Sequence, residues 1–511
     1  MLEELKFSIL RMGEKIEDAF ISHNPIVAES LLSRAPSELL EKISVSRAQI
    51  VFDHAKDHTP AYQKFLKKNK FQKNHSWDKI PFIDKKNYIK KYSIKERCLG
   101  GSLPSDGEIY ESSGSSGKPT LWIQNKAEEE VLFSEMAFEY HYLFQSKPTI
   151  ILSTWVTGPW ITGNKFCEVA SHSALLKNTG SNMQNILDTL KDFGPSEHYM
   201  IVGYPPFIRQ LILFLASNLD IKKYKIDIGL GGEAITLQAA DFIRKHLPKR
   251  SLIFSSYGAS DLDIGVGFEN PYCQYIRFLA SKNPQFRVDL FGDVSGDLPM
   301  LFQYNPMLYY VEDGPKKGKN KFELLFTQLN TEVAHPKIKY NLHDLGKKLS
   351  FSEVTNLLQK HFPNFKEEFS KLKQYRTILP LPFFVINGRS DGMLTIGSAN
   401  VYPHQIELCF YENSNIHKNI NHFKVGKSSN KNLEEIFEIH VELKEGSNVP
   451  KKFSLECKKS IIKFLGKFNA DYAELAKNNL EMKNFEVKIY PYNHQLFAKD
   501  KNKIKRNFFL K

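Results

Sequence analysis

From Ala28 to Lys68 the apolar residues recur at three- and four-residue spacing, broken by Pro36 and Pro60, which predicts a set of amphipathic helices. From about Thr149 the rhythm changes. Short apolar runs such as TIILSTWV, YMIVGY, IDIGLGGEAIT and SLIFSSYG alternate with helical stretches such as SNMQNILDTLKDFG, PFIRQLILFLASNL and TLQAADFIRKHLPK. That alternation predicts a sheet with helices laid on its faces. After Asp344 a charged stretch, FSEVTNLLQKHFPNFKEEFSKLKQY, reads as an inserted helical pair on the surface, over about 349–376, ahead of an apolar strand, TILPLPFFVING. After Gly388 the pattern restarts as EEIFEIHVEL, a long helix around SLECKKSIIKFLGKFNADYAELAK, and NFEVKIYPY, a small strand, helix, strand unit with its own core. The expected fold is α/β. A large domain over 1–387, helical over about 1–100, precedes a small α+β domain over 388–511. No repeat of 20 to 50 residues is present, which sets aside solenoids and propellers.

A chain of 511 residues with 41% hydrophobic content is ample for two packed cores. Its 70 Lys and Arg against 57 Asp and Glu give a net charge of +13. That balance favours anionic ligands, or simply reflects a lysine-rich solvated surface. The charge is diffuse and no basic patch is interleaved with aromatics, so nucleic acid is not an expected partner. The five cysteines stand far apart with no CxxC pair, so neither a zinc nor a redox site is expected, and free thiols fit a cytoplasmic location. The opening MLEELKFSILRMGEK interleaves charge with apolar residues and lacks the 7–15-residue apolar core of a secretory signal. Nowhere do about 18 apolar residues run uninterrupted, so no spanning helix is expected.

The stretch ESSGSSGKPT, Glu111–Thr120, has the composition of a phosphate grip. It is not a P-loop: Gly114 and Gly117 are too close together, Pro119 follows Lys118, and TLWIQ after it alternates like a strand. The expectation is a flap between two strands. Glycine-permitted backbone amides would form an anion-binding concavity, with hydroxyls from Ser112, Ser113, Ser115, Ser116 and Thr120 and a mobile charge on Lys118. A solvent-exposed turn is the simpler alternative for the loop taken alone.

Together with motifs elsewhere in the chain, SSGSSGKPT resembles the phosphate loop of the AMP-forming acyl-adenylate enzymes, most closely the branch containing phenylacetate-CoA ligase. Further stretches resemble that branch in the expected order: IPFIDKKNY (Ile80–Tyr88), GGEAI (Gly231–Ile235), SSYGASDLD (Ser255–Asp263), KIKYNLHDLG (Lys337–Gly346), GRSDGMLTIGSANVYPHQIE (Gly388–Glu407) and NKIKR (Asn502–Arg506). The resemblance spans nearly the whole chain. It implies that Gly232 and Glu233 lie on the adenine side, that Tyr257 stacks on adenine with Gly258 and Ser260 beside it, and that Asp261, where the family usually has glutamate, holds Mg²⁺. It further implies that Asp344 binds the ribose hydroxyls, that Arg389 reaches ribose or phosphate, and that the small domain swings on a hinge at Asp391. Asn400, Val401 and Tyr402 fall on the loop that turns toward the thioester tunnel. Lys503 matches the lysine that bridges the carboxylate and the α-phosphate, with Lys501 and Lys505 as neighbouring alternatives. The acyl pocket is expected near Trp155, Trp160, Tyr204, Phe207 and Gly231, an aromatic lining that suits an aryl or fatty acid. Around Asp344 the chain departs from the family pattern at Lys339, Asn341, Leu342 and His343, and Asp344 itself can also be read as a turn residue before Gly346.

The chemistry so implied is attack of a carboxylate on the α-phosphate of ATP, release of pyrophosphate, and transfer of the acyl group to a thiol, with coenzyme A the first candidate. Two readings stay beside it. One is an acyl-protein synthetase-like enzyme that loads a protein or carrier thiol. The other is a catalytically silent adenylate-binding scaffold, suggested by KYNLHD and by aspartate at position 261.

Overall fold

The computed structural model describes residues 2–72, 75–112, 120–144, 149–157, 161–292, 298–318, 321–389, 394–396, 399–401, 403–429, 435–469, 472–473 and 485–500. The chain divides into two compact units, the larger holding the described residues up to Glu111 and from Leu121 to Arg389, the smaller Ser112, Thr120 and those from Leu394 onward. Helices α1 (Leu2–His23), α2 (Pro25–Leu32), α3 (Ser37–His58) and α4 (Pro60–Lys68) open the larger unit. Pro36 caps α3 and Pro60 starts α4, the places where a missing amide hydrogen costs nothing. Helix α5 (Ile94–Arg97) precedes the first two strands, β1 (Glu108–Ser112) and β2 (Thr120–Gln124), which pair with each other. The serine and glycine loop is therefore flanked by strands, as its sequence predicts, although residues 113–119 lie outside the described residues.

After α6 (Lys126–Phe144) come the strands of the main sheet: β3 (Ile150–Ser153), β4 (Leu175–Asn178), β5 (His198–Gly203), β6 (Lys225–Leu230), β7 (Ile253–Tyr257), β8 (Gly267–Glu269), β9 (Met300–Gln303), β10 (Tyr309–Gly318), β11 (Lys321–Gln328), β12 (Tyr340–Leu349) and β13 (Phe383–Arg389). Their order is β10-β11-β12-β13-β9-β8-β7-β6-β5-β3-β4. The half from β4 to β7 is parallel and the half from β7 to β10 antiparallel. Ile151, Met200, Ile201 and Ile228 are fully buried, which is why these strands read as continuous apolar runs rather than alternating ones: helices cover both faces.

The helices over Phe351–His361 and Phe365–Ser370 occupy the predicted insert, but they are not surface ornament. Val354, Leu358, Phe365 and Phe369 are fully buried in one cluster with Phe383 and Val385 of β13, so the insert completes the sheet's cover at its charged-looking segment. Beneath the sheet, Arg277 and Glu269 form an ion pair with both side chains nearly inaccessible, and the Arg277 guanidinium also donates to the Ile235 carbonyl at 3.0 Å. Glu269→Ala strands a buried guanidinium and is expected to cost about 3–5 kcal/mol in urea unfolding; an unshifted unfolding midpoint would count against a buried pair.

In the smaller unit β14 (Leu394–Ile396) pairs β15 (Ala399–Val401), and β16 (Ile420–Ser429), β17 (Glu435–Leu443) and β18 (Phe485–Tyr490) form a second sheet. β17 and β18 run parallel, as the crossover helix Phe453–Phe468 between them requires. Val425, Ile439, Cys457, Ile461 and Phe485 form its core. All five cysteines are free. Among the described residues no helix is long and apolar enough to cross a membrane.

Candidate active site

The carboxyl ends of β3, β5, β6 and β7 point the same way, the edge at which open α/β sheets bind ligands. Four sequence-predicted residues converge there. Trp155 follows β3, and its ring lies against Gly231, where an added Cβ would come to 3.4 Å from it. Tyr204 caps helix α9 (Pro205–Asn218; α7 is Ile161–Ser171 and α8 is Met183–Phe193) and lies beside Gly232. Gly232 has a φ of +82°, the left-handed region that glycine enters without strain. Phe207 is buried in the main core and belongs to packing rather than to a pocket wall.

Tyr257 ends β7. Its hydroxyl donates to Asp344 Oδ2, and the Arg389 guanidinium donates to Asp344 Oδ1 at 3.1 Å. Asp344 and Arg389 meet because they are register partners on β12 and β13. Asp344 is thus a strand residue, which decides against the turn reading. Burial, with the Asp344 carboxylate next, pushes the Tyr257 phenol well above its ordinary range, so it stays a donor. A Cβ on Gly258 would sit 2.4 Å from the Ile264 carbonyl oxygen, so the turn through Ser260 to Asp261 closes only with glycine there.

Asp261 is 5% exposed and its carboxylate is already engaged: Tyr340 donates to Oδ2 at 2.7 Å, and the Lys85 ammonium lies 2.8 Å from Oδ1. It belongs to none of the described clusters of three or more metal-ligating side chains. One carboxylate beside substrate phosphates is enough to hold Mg²⁺, and Asp261 would have to give up its Lys85 partner to do so.

Lys85 reaches this place because Ile83 pairs alongside the start of β12, its carbonyl accepting from the Asn341 amide at 2.8 Å. The same contact sets Trp122 between two ammonium groups, Lys85 at 5.7 Å and Lys337 at 5.4 Å from its ring. Burial lowers the Lys337 pKa to about 8. Lys85, Tyr340, Trp122 and Lys337 are members of the site that sequence reasoning did not single out. The signal was that IPFIDKKNY, TLWIQ and KIKYNLHDLG between them contain all four.

The departures around Asp344 have structural partners elsewhere. Lys339 pairs with Glu312 at 2.9 Å, and Asn341 donates to Glu323 at 2.7 Å. His343 lies 3.5 Å from Asp84 and 3.3 Å from Glu323, while Tyr340 and Asp344 reach Asp261 and Tyr257. Lys339 and His343 also have positive φ, +48° and +65°. The unusual residues therefore tie β12 to its neighbours rather than meeting the Tyr257–Asp344–Arg389 group. The hydrogen bond to Asp84 and then the Glu323 contact raise the His343 pKa above the usual 6.5, against desolvation. Since the folded value is the higher one, this stabilisation is complete below about 6.5 and is lost as pH rises through the raised value. Thermal stability is expected to decline across that window, and His343→Gln to flatten the decline; an equal slope in both proteins would remove His343 as its source.

Of the other predicted residues, Glu233 and Ser260 are partly exposed near this edge, and Thr120 begins β2. The backbone of Ser112 ends β1. Ser113, Gly114, Ser115, Ser116, Gly117, Lys118, Trp160, Asp391, Tyr402 and Lys503 lie outside the described residues, as does the side chain of Asn400.

No protein-family model and no curated protein sequence matches the chain. Solved structures do match it. The crystal structure of 2-hydroxyisobutyryl-CoA ligase with 2-HIB-AMP and CoA in the thioesterification state aligns at a TM-score of 0.61 and 15% identity, covering 93% of this chain and 90% of that one. The two chains share a fold. An open conformation of the same ligase with 2-HIB-AMP and CoA gives 0.51 and 14%, covering 92% and 91%. Its postadenylation state with R3-HIB-AMP gives 0.51 and 15%, covering 93% and 89%. At such identity the likeness establishes the architecture, a large sheet domain followed by a small one, and the activity has to be argued from the site.

Proposed function

We propose that the protein is an AMP-forming ligase that activates a carboxylic acid with ATP, releases pyrophosphate, and passes the acyl group to a thiol, coenzyme A being the first candidate. The observation that carries this is the Tyr257–Asp344–Arg389 group at the carboxyl edge of a sheet shared with an acyl-CoA ligase. An ionised Asp344 has about four lone-pair sites, so it can accept from both ribose hydroxyls while Tyr257 and Arg389 hold it in place. The Tyr257 ring gives adenine a face to stack on.

In the first step the acid's carboxylate oxygen attacks the α-phosphorus and the bond to the pyrophosphate oxygen breaks, leaving an acyl-phosphate anhydride. Two anions must approach, so positive charge has to be concentrated at the reacting centre. Lys503, by its place in the sequence, supplies it at the α-phosphate, and Lys118 with the 112–120 amides supplies it at the leaving phosphates. Lys85, paired with Asp261, adds a third ammonium close by. In the second step a thiolate attacks the acyl carbon and AMP leaves with its electron pair. We assign Asp391 as the hinge that lets the smaller unit withdraw Lys503 before this step. The acid lies against Gly231 and the rings of Trp155 and Tyr204, which favour an aryl or fatty substrate over a polar one. The reading is tested by ATP–pyrophosphate exchange across a panel of carboxylic acids, followed by addition of coenzyme A or of carrier and protein thiols. Exchange with transfer only to a protein thiol would favour the acyl-protein synthetase alternative.

A further inference from the structure

Helix α1 buries one face and leaves another apolar. Phe7 and Leu10 are 9% exposed, whereas Leu5, Ile9, Met12 and Ile16 are 57%, 62%, 67% and 66% exposed. Their spacing of four, three and four residues is that of a helix-pairing seam. A seam of this size on a helix already packed against α3 and α6 is unusual for a surface that meets only water.

We propose that α1 pairs antiparallel with α1 of a second copy of this chain. The spacing reads the same in both directions, so an antiparallel partner sets Leu5 against Ile16 and Ile9 against Met12 of the other copy, and Met12 and Ile16 reciprocally, as a two-fold interface demands. The flanks match in charge as well. By helical spacing Lys6 and Glu17 fall on one edge of the stripe, and Glu4 and Lys15 on the other. Antiparallel pairing brings Lys6 beside Glu17 and Glu4 beside Lys15 of the second copy, opposite charges on both edges. Glu4, Lys15 and Glu17 keep 55%, 63% and 44% of their side chains exposed despite partners in their own chain. Gly13, at the edge of the seam, has nothing within 4 Å of the position a Cβ would take, so a second helix has room to approach.

The charges also argue against a lipid surface as the occupant. With Glu14 and Asp18 turned into the protein, Glu3, Glu4 and Glu17 offset Lys6, Arg11 and Lys15 on α1, so the helix lacks the basic excess that an anionic bilayer attracts.

Sedimentation velocity of the full chain at micromolar concentration is expected to give twice the 58.9 kDa chain mass, and the Ile9→Lys, Met12→Lys double variant to give the single mass with an unchanged circular dichroism spectrum. Should that variant fail to fold, cysteine pairing decides. The Leu5→Cys, Ile16→Cys double variant is expected to form a disulfide-linked dimer on mild oxidation. Leu5→Cys alone is not, because two copies of residue 5 would lie about 16 Å apart along antiparallel helices. A monomeric native chain, a dimer that survives Ile9→Lys, Met12→Lys, or a dimer linked by Leu5→Cys alone would each overturn the proposal, as would a monomer that binds anionic vesicles through α1.

Discussion

Asp344→Ala is expected to weaken ATP binding by about 10²–10⁴-fold. The carboxylate would contribute two charge-assisted hydrogen bonds to the ribose, each worth about 1.5–3 kcal/mol, and its loss also frees the Arg389 guanidinium and the Tyr257 hydroxyl that now donate to it. The effect should therefore be specific in kind. Binding of ATP, followed by calorimetry, falls steeply, while Asp344→Asn falls less because the amide oxygen still accepts one bond. The variants should keep a native circular dichroism spectrum, since Asp344 is paired from within the site rather than in the apolar core. ATP binding unchanged by Asp344→Ala would remove the ribose assignment, and with it the observation on which the functional reading rests.

Lys503→Ala is expected to slow acyl-adenylate formation by about 10²–10³-fold, the range found when one group stabilising transition-state charge is removed. Thioester formation from preformed acyl-adenylate should change only a few-fold, because the lysine is withdrawn in that step. This split is what separates a charge acting on the α-phosphate from a residue that merely keeps the protein folded, since general destabilisation depresses both steps together. Lys501→Ala and Lys505→Ala serve as neighbours for comparison. A loss confined to one of them would move the role along the tail, and equal losses in both half-reactions would end the assignment.

How far the sequence could be read depended on how local each determinant was. The parallel strands β3, β5, β6 and β7 were legible because burial on both faces writes an uninterrupted apolar run, as in β5 and β6, and the intervening helices write a distinct period; the edge strand β4, mostly exposed, was not. The strands flanking residues 113–119 were legible from the alternation of TLWIQ. The antiparallel half was legible only in part, at β13, where TILPLPFFVING reads as an apolar strand. β10 and β11 carry YYVEDGPKKG and KFELLFTQ, paired with register irregularities, and their membership of the sheet is fixed by partners rather than by pattern. The insert misled for a related reason: its charged residues are conspicuous in the chain, while Val354, Leu358, Phe365 and Phe369 matter only once β13 lies beneath them.

The site shows the same division. Tyr257, Asp344 and Arg389 were visible as motif positions, and their meeting follows from strand register. The partners of Asp261 were not visible, because Lys85 and Tyr340 are separated by most of the larger unit and are joined by the pairing of Ile83 with Tyr340. The motif shows a carboxylate at position 261; only the fold shows that the Lys85 ammonium lies beside it.

The central question is whether an acid makes this protein cleave ATP at the α-phosphate. Incubating the full chain with ATP, labelled pyrophosphate and a panel of aryl and fatty carboxylic acids measures it directly. At least one acid is expected to drive label into ATP, and Asp344→Ala to abolish the signal. A protein that binds ATP yet exchanges no label with any acid would be a silent adenylate-binding scaffold, and the ligase reading would be contradicted.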